Sequence, residues 1–342
     1  MRYIYLLTFT IFFACTGTKE NKEENASEKQ ILNVYSHRHY DADKVAFERF
    51  TKESGIEINL VKAGADELIS RLEMEGENSP ADVLITVDAA KLNRAKSMGL
   101  LQSVEANTNH REGFIDEDKN WYALTYRARV IAYDKEDVNV SELSTYEDLA
   151  NEKWKNRILI RSSSSSYNQS LLSSIIHENG TEVAKEWALG IVANMAREPK
   201  GGDRDQIKAI ASDIGDIAVV NTYYVGLLLN SENPEEVKAG QRVGIYFPNQ
   251  DGRGGHINIS GIGVTKYAPN KDNAIKFIEF MTSEEMQKFY ASNSFEYPVN
   301  KNVAPDSTIA AWGDFKIDNL DYAKNPNLLD EAIKIFDEAG WN

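Results

Sequence analysis

Residues 32–63 read LNVYSHRHYDADKVAFERFTKESGIEINLVKA, and their pattern decides the fold. LNVYS (32–36) is a short β-prone run. DADKVAFERFTKESG (41–55) carries apolar or aromatic side chains at Val45, Phe47 and Phe50 along a helix that closes at Gly55. IEINLVKA (56–63) then returns to strand character. Strand, helix and strand joined by loops of a few residues are the signature of a parallel α/β unit.

The same alternation continues outward. ADELISRLEMEG is a helix, ADVLITVD (81–88) a strand and AAKLNRAKSMG a helix. VIAYD (130–134), ILIRS (158–162), IAVVN (217–221), VGIYF (243–247) and INISGIGVTK (257–266) add strands. Long helices are expected over about 168–197 and 271–292, and a last amphipathic helix from Asn327 to Ala339. At about 150 residues per domain, a chain of 342 residues forms two. Two α/β lobes suggest a cleft, and open α/β sheets bind ligands outside the carboxyl ends of their strands. The residues just after strands are therefore the candidates for function.

Charge and cysteine content remove most alternatives. With 38 Lys and Arg against 53 Asp and Glu, the net charge of −15 argues against nucleic acid or an anionic membrane surface and for a cationic ligand. A single cysteine excludes an internal disulfide, an iron–sulfur cluster and a Cys-type zinc site. That cysteine ends a leader. Arg2 precedes an apolar run (3–14, YIYLLTFTIFFA) too short to span a bilayer as a permanent helix. Residues 1–14 read as a signal peptide and Cys15 as the lipidated first residue of the mature chain. Residues 15–30 then form a flexible tether, because TGTKENKEENASEKQ has no large apolar side chain to repay ordering. Acyl chains on Cys15 are the only membrane contact expected.

Tyrosines stand at three strand ends. Tyr40 follows LNVYS, Tyr167 follows ILIRS and a run of serines, and Tyr223 with Tyr224 follows IAVVN. Any one of them alone reads as packing, with its hydroxyl on a backbone partner. Together they suggest a metal: three phenolates cancel a trivalent charge, and a neutral imidazole adds a fourth ligand. Zinc prefers His and Cys, whereas calcium and magnesium prefer carboxylates, carbonyls and water. An oxygen-rich tyrosinate set points to a hard, highly charged ion, with Fe(III) as the biological candidate. Successive residues on a helix diverge by about 100°. Tyr223 and Tyr224 can therefore share one ion only where the chain enters the helix.

The sequence resembles the periplasmic ferric-ion-binding proteins of bacterial iron-uptake ABC transporters, in the branch that uses one His and four Tyr without phosphate. The matching stretches are YSHRHYDAD (35–43), YRARVIAYD (126–134), RSSSSSYNQS (161–170), VVNTYYVGLL (219–228), FPNQDGRGGHINISGIGV (247–264) and EYPVN (296–300). The resemblance implies a two-lobed periplasmic-binding-protein fold, type II-like, with a hinge and a central cleft. Lobe 1 would comprise 31–128 plus 258–310, and lobe 2 129–257 plus 311–342. It implies His39, Tyr40, Tyr167, Tyr223 and Tyr224 as iron ligands and Fe(III) as cargo delivered to an ABC permease by a monomer that is not an enzyme. Arg127 would hold a synergistic carbonate or shape the cleft. His37 lies two residues from His39, so alternation puts both on one side. His37 is either an exposed polar residue or an assistant to His39. The serines before Tyr167 are either a loop capping the next helix or an anion pocket at its terminus.

Catalytic motifs are missing. The serine run has no G-x-S-x-G, His177 falls within a helical pattern, and there is no HExxH, P-loop or GxGxxG. Asp203, Asp205 and Asp213 do not follow calcium-loop spacing and are expected on a solvated acidic face. The alternatives are a binding protein of the same architecture for a polyamine, thiamine or an oxyanion, and a metal-dependent hydrolase. Colour separates them, since ferric tyrosinate absorbs visible light and the others do not.

Overall fold

The structure is a computed structural model and describes residues 1, 30–38, 40–318 and 327–342. Cys15, the rest of the leader and tether apart from Met1 and Gln30, and His39 lie outside the described residues.

The chain begins with β1 (Ile31–Ser36), α1 (Asp41–Ser54), β2 (Glu57–Lys62), α2 (Ala65–Glu75), β3 (Val83–Thr86), α3 (Ala89–Ser97) and β4 (Leu101–Gln102). It continues through β5 (Tyr122–Asp134), β6 (Ile158–Leu159), α4 (Ser166–Asn179), α5 (Thr181–Asn194) and α6 (Asp203–Ile210). Next come β7 (Ile217–Asn221), α7 (Thr222–Leu229), α8 (Pro234–Arg242), β8 (Val243–Tyr246) and β9 (Ile257–Thr265). The last elements are α9 (Lys271–Met281), α10 (Glu284–Ser294), β10 (Tyr297–Pro298), α11 (Ser307–Ala310) and α12 (Leu328–Ala339).

The helix α1 stops where its sequence says it should. Gly55 adopts φ 73° and its N–H donates to the Thr51 carbonyl at 3.0 Å, a left-handed cap that glycine adopts without strain. The two long helices expected from periodicity each divide. Gly180, at φ 82°, separates α4 from α5. Ser283 starts α10 afresh, its Oγ accepting the Met286 N–H at 3.3 Å. Apolar spacing runs across both breaks, so the pattern reads as one helix where there are two.

The sheet is mixed rather than parallel. Strands run in the order β2-β1-β3-β9-β5-β7-β6, with β10 and β8 on β5 and β4 on β9. β1 pairs in parallel with β2 and β3, and β6 with β7, while β9 is antiparallel to both β3 and β5. The cause is the 13-residue β5, which serves two ladders. Tyr122–Ala128 pairs with β9, and Arg129–Tyr133 pairs antiparallel with β7.

At the change of partner Ala128 and Val130 pack into a cluster with Val220 and Leu228, and two other cores lie apart from it. One contains Phe47, Phe50, Val83, Ile262 and Phe277. The other contains Trp154, Leu172, Trp187, Val219, Ile335 and Trp341. Each large side chain so buried stabilises the fold by about 1.5–3 kcal/mol, so both halves carry their own driving force. Among the described residues no helix is long and apolar enough to cross a membrane.

Candidate metal centre

Tyr40 occupies the turn between β1 and α1. Its backbone N–H donates to Asp43 Oδ2 at 3.2 Å, and Asp43 also accepts Arg38 Nε at 3.1 Å. Arg38 is buried and extends further, with Nη1 on Thr125 Oγ1 at 2.9 Å and Nη2 on Glu296 Oε2 at 3.1 Å. Its guanidinium carbon lies 4.6 Å from the centre of the Tyr40 ring. The turn is thus locked by charge, and the lock holds Tyr40 in place.

Tyr167 sits in the first turn of α4. The serine run before it is held by the side chains that follow. Asn168 Nδ2 donates to the carbonyls of Arg161 (2.8 Å) and Ser162 (3.1 Å), and Gln169 Nε2 donates to that of Ser163 (3.1 Å). Ser165 stands at the N-cap position without capping through its hydroxyl. Tyr223 and Tyr224 fall in the first turn of α7, directly after β7. Their ring centres are 4.0 Å apart and their planes inclined by 31°, so consecutive tyrosines share one locality at a helix entrance.

The hydroxyls converge. Tyr40 Oη is 3.1 Å from Tyr167 Oη and 3.3 Å from Tyr223 Oη, and the Tyr224 ring lies against that of Tyr223. Burial pushes the Tyr40 phenol well above its usual pKa, with the Tyr167 oxygen adding to it. Burial likewise raises Tyr223 and Tyr224, again with Tyr167 as the largest electrostatic contributor after it. These three phenols hold their protons at neutral pH.

Guanidiniums surround the cluster. Arg127, Arg161 and Arg129 place their central carbons 5.1, 5.5 and 5.9 Å from the Tyr167 ring centre. Arg127 is fully buried, with Nη1 on Ser260 Oγ at 2.6 Å and Glu296 Oε1 at 3.5 Å, and Nη2 on the Val87 carbonyl. Burial opposes its charge, but Tyr167, Tyr40 and Glu296 outweigh that and raise its pKa. Arg129 contacts Asp203 at 2.7 Å and Asn168 at 2.6 Å, and Arg161 reaches Asp203 at 3.6 Å. Four guanidiniums therefore face three directly paired carboxylates: Asp43, Glu296 and Asp203. The surplus positive charge favours phenolate over phenol once a metal competes for the oxygens.

Tyr40, Tyr167, Tyr223 and Tyr224 thus come together, with Arg127 beside them and His39 outside the described residues. The His37 N–H donates to the Ile85 carbonyl at 2.9 Å, continuing the β1–β3 ladder. Asp203 overturns its expectation. It is fully buried beneath Arg129 rather than on a solvated face, and it also accepts the Asn221 N–H at 2.8 Å. Arg38, Arg129, Arg161, Glu296 and Asn168 complete the surroundings. Alternation along β5, which sets Arg127 and Arg129 on one face, was the available signal for Arg129. Glu296 and Asp203 come from remote segments and carry no local signal.

Separate cores joined through shared strands, with one cluster of ligand-grade oxygens drawn from three distant segments, define a protein that encloses a small solute. Comparison with known proteins agrees. The family model for bacterial extracellular solute-binding proteins matches residues 78–326. Iron uptake protein A1 of Synechocystis sp. is 48% identical over 321 residues, covering 93% of this chain and 89% of that protein. A ferric binding protein from Campylobacter jejuni superposes with a TM-score of 0.87 at 45% identity, covering 91% of this chain and all of that one, 100%. A Trichodesmium protein in complex with iron and citrate superposes with a TM-score of 0.83 at 47% identity, covering 91% and 100%. The chain belongs to the bacterial extracellular solute-binding protein family, with the two-lobed, type II-like periplasmic-binding-protein fold.

Proposed function

We propose that this chain captures Fe(III) outside the cytoplasm and delivers it to an ABC permease. The cargo is held by Tyr40, Tyr167, Tyr223 and Tyr224, with His39 as the neutral ligand. The observation that carries the reading is the meeting of Tyr40, Tyr167 and Tyr223 hydroxyls within 3.1–3.3 Å contacts, with the tilted Tyr224 ring alongside. The iron named in relatives of such high identity supports the choice of metal.

The halves are lobe 1, residues 31–128 plus 258–310, and lobe 2, residues 129–257 plus 311–342. The change of β5 partner at Ala128/Arg129 supports a hinge there. Both terminal nitrogens of Arg127 are already bonded, which favours its role as a fixed charge shaping the cleft over that of a carbonate holder. The protein is a carrier rather than an enzyme, tethered through lipid on Cys15.

Burial dictates how capture proceeds. Phenols that hold their protons before binding must lose them to bind, so iron uptake releases protons and weakens as pH falls. The experiment is an Fe(III) titration of the purified protein followed in the visible region. A red to orange charge-transfer band saturating at one equivalent is expected. A protein that binds iron without colour, or not at all, overturns the reading.

A further inference from the structure

Ser170 lies three residues after Tyr167, which puts both on the same face of α4. Its Oγ is 3.0 Å from His256 Nε2 and also hydrogen-bonds the Asp88 carboxyl. Asp88 belongs to the other half of the molecule, where it caps α3 by accepting the Ala90 N–H at 2.9 Å. Asn258 Nδ2, at the start of β9, donates to Asp88 Oδ2 at 2.7 Å. All four side chains are almost completely shielded from solvent.

Donor and acceptor roles follow from the partners. Burial raises the Asp88 pKa, and both of its oxygens are engaged as acceptors, Oδ1 from the Ala90 N–H and Oδ2 from Asn258 Nδ2. Burial, with Arg253 and Arg129 nearby, pushes His256 down to about 3, so the ring is neutral. With both Asp88 oxygens accepting, Ser170 donates to Asp88 and in turn accepts from His256 Nε2–H. The His256 backbone is fixed as well, its N–H on Tyr146 Oη at 3.0 Å and its carbonyl accepting the Arg129 N–H at 2.8 Å.

We propose that Ser170 is a positioning residue for iron capture, a latch that ties α4 to Asp88 across the two halves and so holds Tyr167 against Tyr40. The inference rests on the reading of Tyr167 as an iron ligand. The relay has a fixed end at His256, a carboxyl end at Asp88 in the other half, and Ser170 between them. A cavity of about 600 Å³, lined in part by Asp88, Ser170, His177 and His256, lies beside the relay. Space beside the contact leaves the latch, rather than solid packing, to set the approach of α4.

The test compares wild type, Ser170→Ala and Ser170→Thr as full-length purified proteins. Iron loss to excess ethylenediaminetetraacetate is timed, the visible band is recorded, and the radius of gyration of the iron-free protein is measured by small-angle scattering. Ser170→Ala should lose iron about tenfold faster, the effect of removing a buried hydrogen bond. Its band should stay at the wild-type wavelength and its iron-free form should expand. Ser170→Thr, which keeps the hydroxyl, should recover most of the difference. Wild-type loss rates and dimensions in Ser170→Ala overturn the latch while leaving the iron reading intact. A shifted band overturns it too, since the residue would then act on the coordination itself. A wild type without the band fails the iron reading instead.

Discussion

Two clusters of acidic side chains in this molecule look alike on paper and behave oppositely. Asp134, Asp137 and Asp213 bring carboxylate oxygens within 4.8 Å of one another. That cluster already holds a cation of its own. Arg242 contacts Asp134 at 2.8 Å, Asp213 at 3.3 Å and Asp137 at 3.6 Å. The phenol cluster is built the other way. Its arginines are committed to Asp43, Glu296, Asp203 and neutral acceptors, while the phenol oxygens turn toward one another. Proximity of acids does not make a metal site; the difference is that Arg242 sits directly on the carboxylate oxygens, whereas the phenol oxygens contact one another with the guanidiniums set back over the rings. Burial keeps the Tyr40, Tyr223 and Tyr224 phenols protonated, so a cation that takes their oxygens must displace their protons.

The comparison breaks most visibly at Asp203. Asp203→Ala leaves Arg129 and Arg161 facing no carboxylate beneath the phenols. Removing one partner from a buried ion pair costs about 3–5 kcal/mol, so chemical denaturation should report a loss of that size. Unchanged stability would mean that the guanidinium frame does not depend on its carboxylates.

Tyr223→Phe and Tyr224→Phe test the phenol side directly. Substituting a residue behind a ligand typically weakens metal binding about 10–100-fold, so losing a ligand should exceed a hundredfold and shift or abolish the visible band. His39→Ala should cost less, because a neutral imidazole contributes less Coulomb attraction than a phenolate. Chelator competition ranks the three variants. Full affinity and an unshifted band in both tyrosine variants would remove them from the coordination.

The smallest effect belongs to the carboxylate cluster. Arg242→Ala should leave iron binding untouched and lower thermal stability slightly. Burial works against the Asp134 carboxylate, but Arg242 and the Glu136 N–H more than offset it and hold the pKa below its usual value. The stability from this pair is therefore present above the ordinary carboxylate range and lost as pH falls through the depressed Asp134 pKa. Melting temperatures of wild type and variant should converge at acidic pH. A difference that widens there would contradict the assignment.

What could be read from the chain follows the range of the physics involved. Strand ends, the Gly55 cap and the tyrosines after β7 are local features, so periodicity and position found them. The helix breaks at Gly180 and Ser283 were hidden because apolar spacing continues through them. The antiparallel return of β9 depends on contacts far apart in sequence, so a strand-by-strand reading took the sheet as parallel. Asp203 shows the limit most clearly. Its neighbours Asp205 and Arg204 are polar and its burial comes from Arg129, 74 residues away, so its surroundings in sequence pointed to solvent. The tyrosine cluster was legible through residue chemistry, whereas the charge frame around it was visible only as the Arg127 and Arg129 alternation.

The central claim is that buried, protonated phenols exchange their protons for one trivalent ion. Proton release on iron binding tests it most directly, measured by calorimetry of a labile Fe(III) chelate in buffers of different ionisation enthalpy and corrected for the chelate alone. The account predicts release of at least two protons per iron, with affinity rising as pH increases and the visible band growing in step. Saturable binding with no net proton release, and affinity flat between pH 6 and pH 8, would contradict it.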